Sequence, residues 1–239
     1  MELDPIVRKE LIRQVSGTVA PKALYRPKVK IFVWEKTVSF SYTLKRSTDI
    51  AASMMIMLLL SPLFLLTALA IWIENPAPVL YSQVRVGRNG KHFRFYKFRS
   101  MVPNADKIKS QLAEQNESAD GVIFKMKKDP RITKVGRIIR KLSIDELPQL
   151  FNVLKGDMSL VGPRPPLPDE VAEYTLEDRK RLHVIPGITC LWQVSGRSDI
   201  PFETQVKLDM EYIKSASFFN DIRLLLKTIP AVLTGKGAY

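Results

Sequence analysis

An uncharged apolar run of 24 residues, at positions 50–73, constrains the fold of this chain more than any other feature. At about 1.5 Å per residue, a straight helix of that length would extend roughly 36 Å, which is enough to cross a bilayer. A core helix of a soluble protein would normally carry a polar stripe, and this run has almost none. It begins too late and is too long for a signal peptide. The run therefore predicts a segment embedded in a membrane.

Ser61 and Pro62 interrupt the run at its middle. Proline lacks a backbone N–H and clashes with the carbonyl four residues earlier, so it kinks or breaks a helix. The Ser61 hydroxyl can bond to the backbone groups that the proline leaves unpaired. Because positive flanks prefer the cytoplasm, basic residues on both sides predict a re-entrant helix with two arms of about 12 residues, while an ordinary kinked span is the alternative. The basic flanking residues are Lys36, Lys45, Arg46, Arg85, Arg88 and Lys91.

Three segments are expected along the chain. Residues 1–44 predict either a surface-lying amphipathic helix or an assembly arm, because apolar and basic residues share helical spacing there. Residues 45–75 form the predicted re-entrant helix, and residues 76–239 have the mixed composition of a globular domain. The predicted fold class is α+β and mostly helical, with a re-entrant membrane helix hairpin and a small cytoplasmic globular domain that contains a β-hairpin.

The globular segment opens with a predicted β-hairpin at residues 79–98. Apolar and polar residues alternate on both arms, and Asn89-Gly90 is a favoured two-residue turn. A charged stretch at 105–120 reads as an exposed insertion. Residues 132–142 predict an amphipathic helix with basic residues opposite its apolar face. Those basic residues are Arg131, Lys134, Arg137 and Lys141.

Proline residues between positions 163 and 168 predict an extended loop, because they do not fit regular structure. Helices are expected at residues 171–182, 202–214 and 221–233, and Gly235 is expected to end the last of them. No internal repeat or low-complexity tract is visible in the sequence.

The chain carries 37 Lys and Arg against 24 Asp and Glu, a formal net charge of +13. This surplus favours nucleic acid, an anionic membrane surface or phosphate-bearing substrates, and the long apolar run argues against nucleic acid. A single cysteine, Cys190, excludes an internal disulfide and a cysteine-based zinc site. Because no Gly-Lys-Ser/Thr loop, dinucleotide fingerprint or Gly-x-Ser-x-Gly elbow occurs, ordinary ATPases, dehydrogenases and serine hydrolases are not expected.

The sharpest local pattern is Ser143-Ile-Asp145-Glu146-Leu-Pro148. One interpretation is a capping box between Ser143 and Glu146, but Pro148 then clashes at the fifth helical position. A helix that begins at Asp145 accommodates the proline in its first turn. The helix dipole and the nearby Arg140 would then favour an ionised Asp145. Such a carboxylate can attack phosphorus or bind a metal, so this pattern leaves capping and catalysis both open.

Cationic side chains near this pattern in the sequence are candidate phosphate ligands. Arginine suits bidentate phosphate contact through its planar fork, and a proline-rich backbone can fix Arg164 in place. Asp209, on a predicted apolar helix, is either a carboxylate that shares a divalent cation or a salt-bridged helix residue. The cationic candidates are Lys97, Arg99, Arg140, Arg164 and Arg197.

Taken together, these motifs resemble the bacterial sugar transferase family, the monotopic polyprenyl-phosphate hexose-1-phosphate transferases (phosphoglycosyl transferases). The resemblance extends from about Lys45 to Tyr239 and depends on many motifs in a fixed order. They are Lys45-Arg46-x-x-Asp49, Ser61-Pro62, Lys97-Phe-Arg99-Ser-Met101, Arg140-Lys-Leu-Ser-Ile-Asp145-Glu146-Leu-Pro-Gln149, Gly156-Asp-Met-Ser-Leu-Val-Gly-Pro-Arg164-Pro165, Pro186-Gly187-Ile-Thr189, Gln193-Val-Ser-Gly-Arg197 and Leu208-Asp209-Met-Glu-Tyr212.

The resemblance implies a two-step reaction at Asp145. This residue would attack the β-phosphate of a UDP-sugar and release UMP, and undecaprenyl phosphate would then take the sugar phosphate from the covalent enzyme. Glu146 would be the partner of Asp145 in a catalytic dyad. Mg²⁺ would be required, with Asp145, Glu146 and Asp209 as its candidate ligands. The five cationic candidates would bind phosphates.

The resemblance also implies where such an enzyme acts. It would lie on the cytoplasmic face of the bacterial inner membrane, against anionic lipids, and catalyse the first membrane step of exopolysaccharide, O-antigen or capsule synthesis. Glucose or galactose is the favoured sugar, a homo-oligomer stays possible, and no nucleic acid partner is expected. The alternative is a non-enzymatic, basic, membrane-associated adaptor, for which Asp145 would be dispensable.

Overall fold

The computed structural model describes residues 25–105, 107, 108, 126 and 129–235. These residues are mostly helical, with two small sheets of two strands each, which confirms the mostly helical α+β class. The chain divides into two compact units, Met1–Thr48 and Asp49–Tyr239. The predictions for residues 1–24 and for most of the insertion at 105–120 lie outside the described residues. The predicted segment boundaries after residues 44 and 75 stay predictions.

Helix α1 (Tyr25–Leu59) provides all the described residues of the first unit. The second unit combines short helices with two pairs of strands. Its further helices are α2 (Ser61–Glu74), α3 (Lys134–Lys141), α4 (Gln149–Lys155), α5 (Pro168–Ala172), α6 (Leu191–Ser195), α7 (Phe202–Ser215) and α8 (Phe218–Thr234). Its strands are β1 (Leu80–Val86), β2 (His92–Phe98), β3 (Ser159–Val161) and β4 (Gly187–Thr189). Short 3₁₀ turns cover Arg88–Gly90, Ile144–Glu146, Asp178–His183 and Arg197–Asp199.

The chain bends sharply where α1 ends and α2 begins. The helix segments Lys36–Leu59 and Ser61–Glu74 meet at an angle of 62°. Pro62 has no N–H for the carbonyl of Leu58, and the Ser61 hydroxyl donates to that carbonyl instead, at 2.8 Å. No single described helix is long and apolar enough to cross a membrane, whereas this bent pair taken together meets the length and composition of a membrane segment. The predicted break is confirmed, and the re-entrant path through a membrane stays a prediction.

The bent helices have one buried side and one exposed apolar side in the second unit. Ala52, Ile56 and Phe64 pack against the main core, and Ser53 is fully buried. Because each large apolar side chain left in water forgoes about 1.5–3 kcal/mol of burial, the exposed side fits an apolar surrounding. More than half of the surface of each of these residues is exposed: Met54, Met55, Leu58, Leu59, Leu65, Leu66, Leu69, Trp72 and Ile73.

The main core of the second unit joins the hairpin to the C-terminal helices. Its buried members include Phe95 of β2, Val153 of α4 and Leu224 of α8. Strands β3 and β4 pair in parallel, and a Cβ on Gly187 would lie only 2.0 Å from the backbone nitrogen of Gly162. The close approach of these two backbones therefore requires glycine.

Strands β1 and β2 form the predicted antiparallel hairpin, from Leu80 opposite Phe98 to Val86 opposite His92. The predicted two-residue turn is wrong, because residues 87–91 form a five-residue loop in which Asn89 has φ 56° and Gly90 has φ +78°. Val84, one of the apolar residues that alternate with polar ones along β1, is 46% exposed. The inward face of β1 carries polar side chains instead, and it lines a cavity.

Helix α3 is shorter than predicted. Thr133 caps it by accepting a hydrogen bond from the Gly136 N–H at 2.9 Å, so the helix begins at Lys134. Ile139 is buried as expected, whereas Ile138 is 61% exposed. Arg131 does not belong to an exposed basic face, because it is buried in an ion pair with Asp129 at 2.6 Å.

The predicted helix at residues 171–182 is wrong. The short helix α5 ends at Ala172, and a 3₁₀ turn begins only at Asp178. Between them, the Asp178 carboxylate accepts hydrogen bonds from the backbone N–H and the hydroxyl of Thr175, at 2.9 and 2.7 Å. These side-chain bonds stabilise a turn in place of a continuous helix.

The two C-terminal helices are confirmed. Helix α7 has nearly the predicted bounds, and α8 begins one turn earlier than predicted because the Ser217 side chain caps it. Gly235, with φ +59°, ends α8 as expected.

Candidate active site

A cavity of about 1050 Å³ opens in the second unit. Ile56, Leu60 and Leu63 of the bent helices contribute apolar wall, and the hairpin contributes polar and aromatic wall. The wall also includes both carboxylates of the predicted dyad and all five predicted phosphate ligands, so the structure brings these residues together. They are Lys97, Arg99, Arg140, Asp145, Glu146, Arg164 and Arg197.

The two carboxylates lie on the 3₁₀ turn Ile144–Glu146 that precedes α4. Ser143 has a left-handed backbone, with φ 53°, and its side chain caps nothing, so the capping-box interpretation is wrong. Pro148 occupies the N-cap position of α4, where its missing N–H costs no helical hydrogen bond. The helix that was expected to begin at Asp145 is therefore a short turn with Asp145 at its centre, followed by α4.

Lys97 and Arg164 hold the two carboxylates. The Lys97 ammonium lies 3.3 Å from Asp145 Oδ2 and 2.7 Å from Glu146 Oε1. Arg164 approaches the same Glu146 oxygen to 3.1 Å. Glu146 thus has two cationic partners, whereas Asp145 has only the longer contact with Lys97 among these two cations. This asymmetry separates the chemistry of the two groups.

The pKa values of the two carboxyls move in opposite directions. Burial raises the pKa of Asp145, and the negative charge of Glu146 adds to that effect while Lys97 opposes it. Burial alone would also raise the pKa of Glu146, but Lys97 and Arg164 outweigh it and hold that pKa below its ordinary range. The nearby cations Lys97 and Arg140 thus favour an ionised Asp145, as predicted for the local charges, but burial has the larger effect and raises the pKa overall.

The acid limb of the rate of any reaction that needs an ionised Asp145 should move in opposite directions in two variants. Lys97→Met removes the cation that lowers the pKa of Asp145, so the limb should move to higher pH. Glu146→Gln removes a negative charge that raises it, so the limb should move to lower pH. In wild type the limb should lie above the ordinary pKa of Asp, 3.8, because ionisation is lost as the pH falls through the raised value.

The measurement is the single-turnover rate from pH 4 to pH 9, about the range in which buried carboxyls titrate, with Glu203→Gln on exposed α7 surface as the control. The position of the limb is compared rather than the plateau, since both residues also affect the rate itself. Shifts in the same direction for Lys97→Met and Glu146→Gln would contradict the assignment of Asp145 as the titrating group.

The proline-rich loop that carries Arg164 is extended, as predicted, and is held at both ends. The Pro163 carbonyl accepts from the Gly187 N–H at 2.9 Å, and the Pro166 carbonyl accepts from the Val86 N–H, also at 2.9 Å. The loop therefore bridges the parallel strand pair and the hairpin. This bridge fixes the Arg164 guanidinium beside Glu146.

The remaining cations, Arg99, Arg140 and Arg197, lie on the cavity wall and interact with different groups. Arg99 donates to the carbonyls of Ile71 and Asn75, so part of its guanidinium binds the C-terminal end of α2. Arg197 donates to the Ser143 hydroxyl at 3.4 Å, beside the turn that carries the carboxylates. The charge of Arg140 acts on Asp145 and lowers its pKa, against the larger effect of burial.

Asp209 is separated from the other two carboxylates. It is fully buried on α7 and forms an ion pair with Arg181, whose guanidinium also donates to the Tyr174 hydroxyl. Within the described residues, no group of three or more His, Cys, Asp or Glu side chains could hold a metal ion. The arrangement therefore does not support Asp209 as a third metal ligand.

Asp145 and Glu146 by themselves still fit a magnesium ion. Mg²⁺ in proteins is usually bound through one or two carboxylates plus substrate phosphates, rather than in an all-protein cage. Two adjacent carboxylates on the wall of a cation-rich cavity provide that donor set.

Asn152 is a positioning residue that the sequence analysis missed. Its side-chain amide donates to the Arg94 carbonyl at 2.6 Å and accepts from the Tyr96 N–H at 3.1 Å, so it pairs with β2 as another strand would. It thereby ties Lys97 on β2 to α4, which follows the carboxylate turn. The sequence signal for it is a pair of polar residues, Gln149 and Asn152, three positions apart in a helix that is apolar up to its last residue, Lys155.

Comparison with known families gives one match over most of the chain. The model of the family described as bacterial sugar transferase matches residues 40–235. That range contains the bend between α1 and α2, the hairpin, both carboxylates and every predicted phosphate ligand.

Three relatives illustrate the similarity. The galactosyl transferase CpsE of Streptococcus agalactiae is 54% identical over 69% of this chain and 37% of its own length. The undecaprenyl-phosphate galactose phosphotransferase of Salmonella typhimurium is 48% identical over 82% of this chain and 42% of its own length. The exopolysaccharide production protein ExoY of Rhizobium meliloti is 41% identical over 82% of this chain and 88% of its own length. The chain thus spans less than half of the first two relatives and most of the third.

Proposed function

The chain belongs to the bacterial sugar transferase family, and we propose that it transfers a hexose 1-phosphate from a UDP-sugar to undecaprenyl phosphate and releases UMP. The observation that carries this proposal is the buried Asp145 carboxylate, 3.3 Å from Lys97, in a cavity lined by further cations. Two phosphate substrates suit such a cavity, because negative charge develops on both the leaving and the attacking oxygens. The apolar wall from the bent helices suits a lipid acceptor.

The proposed reaction has two displacements at one phosphorus atom. In the first, an Asp145 oxygen bonds to the β-phosphorus of the UDP-sugar, the bond to the bridging oxygen breaks, and UMP leaves with that electron pair. In the second, an oxygen of undecaprenyl phosphate bonds to the same phosphorus, and the bond to Asp145 breaks. The products are a lipid-linked sugar diphosphate and the free Asp145 carboxylate.

The chain's own residues divide the work. Lys97 and Arg164 hold Glu146 ionised beside Asp145, and Lys97 also favours the ionised form of Asp145 that attacks. Cations on the wall then stabilise the negative charge of the phosphates. Removal of one such cation typically lowers the rate by about 10²–10³-fold. Mg²⁺, held by Asp145 and Glu146 together with substrate phosphates, would supply further neutralisation of that charge.

The proposal includes a location on the cytoplasmic face of the bacterial inner membrane, where the bent helices enter one leaflet. Helix α8 supports it, because an outward apolar stripe recurs every three or four residues beside the exposed Arg223 and Lys227. Basic residues near a membrane surface gain about 1 kcal/mol each from anionic lipids. The stripe consists of Phe219, Ile222, Leu226, Ile229 and Leu233.

Labelling of engineered cysteines in sealed vesicles tests this location. Cysteines at positions 45 and 91 lie on either side of the apolar run at 50–73 and should react from the same side, while the native Cys190 is buried. Labelling of the two positions from opposite sides would show a span across the bilayer instead of a re-entrant path.

Galactose is the sugar that we favour. Two of the relatives above carry names that refer to galactose, and glucose is the nearest alternative. A panel of UDP-sugars, assayed by UMP release, distinguishes the two.

The direct test of the reaction is an intact-mass measurement. Detergent-solubilised protein is mixed with UDP-galactose, UDP-glucose or UDP-N-acetylgalactosamine and Mg²⁺, without a lipid acceptor. A mass increase equal to one sugar phosphate, with stoichiometric UMP, is expected, and it should disappear when undecaprenyl phosphate is added. The absence of both adduct and UMP with every donor would contradict the covalent reaction.

A further inference from the structure

Arg85 lies on the cavity wall but has no part in the reaction as described so far. It is on the inward face of β1, and its guanidinium lies over the Phe95 ring at 5.4 Å from the ring centroid. Lys97 lies over the same ring, at 5.7 Å. The Phe95 ring therefore contacts two cations at once, one of which already binds the carboxylate pair.

Arg85 is partly buried and has no acidic partner among the described residues. Arg131, Arg164 and Arg181 each form an ion pair with a carboxylate. Within the described part of the chain, no carboxylate oxygen lies within 4.0 Å of Arg85. Its guanidinium donates to neutral groups only, the Pro165 carbonyl at 3.0 Å and the Gln83 side-chain oxygen at 3.2 Å, and its buried Nε has no partner. A partly buried cation without a charge partner has lost some of its hydration, which a bound anion would replace.

Arg85 is also repelled by a second guanidinium. It bonds to the carbonyl of Pro165, the residue that follows Arg164, so both guanidiniums belong to one stretch of the wall. Burial and the positive charge of Arg164 lower the pKa of Arg85 to about 10. Arg164 uses its NH1 for Glu146, which leaves donors for a further acceptor. Two neighbouring arginines with donors left over suit a shared anion, since the planar guanidinium binds phosphate oxygens in pairs.

We propose that Arg85 and Arg164 together bind a phosphomonoester, and that this one subsite serves both half-reactions. This inference rests on the proposed function. In an in-line displacement the leaving group departs opposite the attacking atom, so UMP leaves opposite Asp145. In the second displacement Asp145 is the leaving group, so the attacking phosphate must stand opposite it, where the UMP phosphate stood. A single phosphate subsite is then sufficient for the nucleotide and for the lipid.

The test compares Arg85→Gln with Arg94→Gln in the full-length protein. Arg94 is on the same hairpin, but its side chain is exposed on the opposite face, paired with Val84. Dissociation constants are measured for UMP and for a short-chain polyprenyl monophosphate. Arg85→Gln should weaken both ligands by at least about tenfold, as loss of a charge-assisted bond does, and Arg94→Gln should weaken neither. Arg85→Lys should restore part of the affinity for both.

Each other outcome counts against the inference. Unchanged binding of both ligands would overturn the phosphate role of Arg85, and a loss for one ligand alone would overturn the shared subsite. Binding is measured without turnover, so a wild-type protein that forms no adduct would contradict the proposed reaction without deciding the role of Arg85.

Thermal unfolding separates binding from a purely structural role. If Arg85 only stabilises the loop through its hydrogen bond to the Pro165 carbonyl, Arg85→Gln should unfold at a lower temperature than wild type, with or without UMP. If it binds phosphate, the unliganded variant should be at least as stable as wild type, because an unpaired buried charge is removed, and UMP should raise its melting temperature less. Should Arg85→Gln fail to fold, the structural role stands and the inference is overturned.

Discussion

Asp145→Asn is expected to abolish the covalent sugar-phosphate adduct and to lower formation of the lipid-linked product by about 10⁴-fold or more. The amide is isosteric with the carboxylate but is not a nucleophile toward phosphorus, so the first displacement has no attacking group. The variant should fold normally. Burial raises the pKa of Asp145 because the site disfavours a negative charge, and the asparagine side chain carries none. The measurements are intact mass without acceptor, and lipid-linked product with acceptor.

Asp178→Asn is the matched control for this change. Asp178 stabilises a surface turn with Thr175, and an asparagine oxygen can accept the same hydrogen bonds. The control should retain both adduct and product. Product formation at the wild-type rate in Asp145→Asn would leave the covalent reaction without its nucleophile and would contradict the proposed mechanism.

Asp209→Asn is expected to lower the free energy of unfolding by about 3–5 kcal/mol. The Arg181 guanidinium is almost completely buried, and without the carboxylate it would lack its charge partner. Burial already raises the pKa of Asp209 to about 6 although Arg181 opposes that shift, which shows how strongly the site excludes water. Urea unfolding at about pH 7.5, near the upper end of the usual range of maximal stability and above the pKa of Asp209, measures the change.

Two further variants serve as controls for the unfolding measurement. Glu203→Gln removes an exposed ion pair with Lys207 on the same helix, and its stability should equal that of wild type. The double variant Asp209→Leu/Arg181→Met should recover most of the lost stability, because it removes both charges. A normal melting temperature for Asp209→Asn, together with a raised Mg²⁺ requirement, would instead support Asp209 as a metal ligand.

The parts of the fold that were predicted correctly depend on local rules. Alternating side chains identified the β-hairpin, Pro62 identified the bend, and Gly235 identified the end of α8. The candidate site was found because its charged residues stand in ordered motifs, and the structure brings both dyad carboxylates and all the cationic candidates to one cavity.

The parts that were missed depend on tertiary surroundings. The predicted helix at 171–182 failed because Thr175 and Asp178 bond to each other, and helical periodicity does not register such a turn. The raised pKa of Asp145 comes mainly from burial, which sequence spacing does not reveal. Asp209 was grouped with the other carboxylates because its partner, Arg181, is 28 residues away in the sequence. Arg85 was read only as a flanking charge, since nothing local marks it as lining a cavity.

The outward apolar stripe of α8, together with the exposed side of the bent helices, bears on how the enzyme would meet its lipid substrate. Withdrawal of such a surface into water would cost about 1.5–3 kcal/mol for each large side chain, so dissociation from a bilayer would be rare. On the proposed location, enzyme and acceptor diffuse within the same plane, and their encounter becomes a two-dimensional search. The turnover rate should then follow the mole fraction of acceptor in the leaflet rather than its amount per volume of solution.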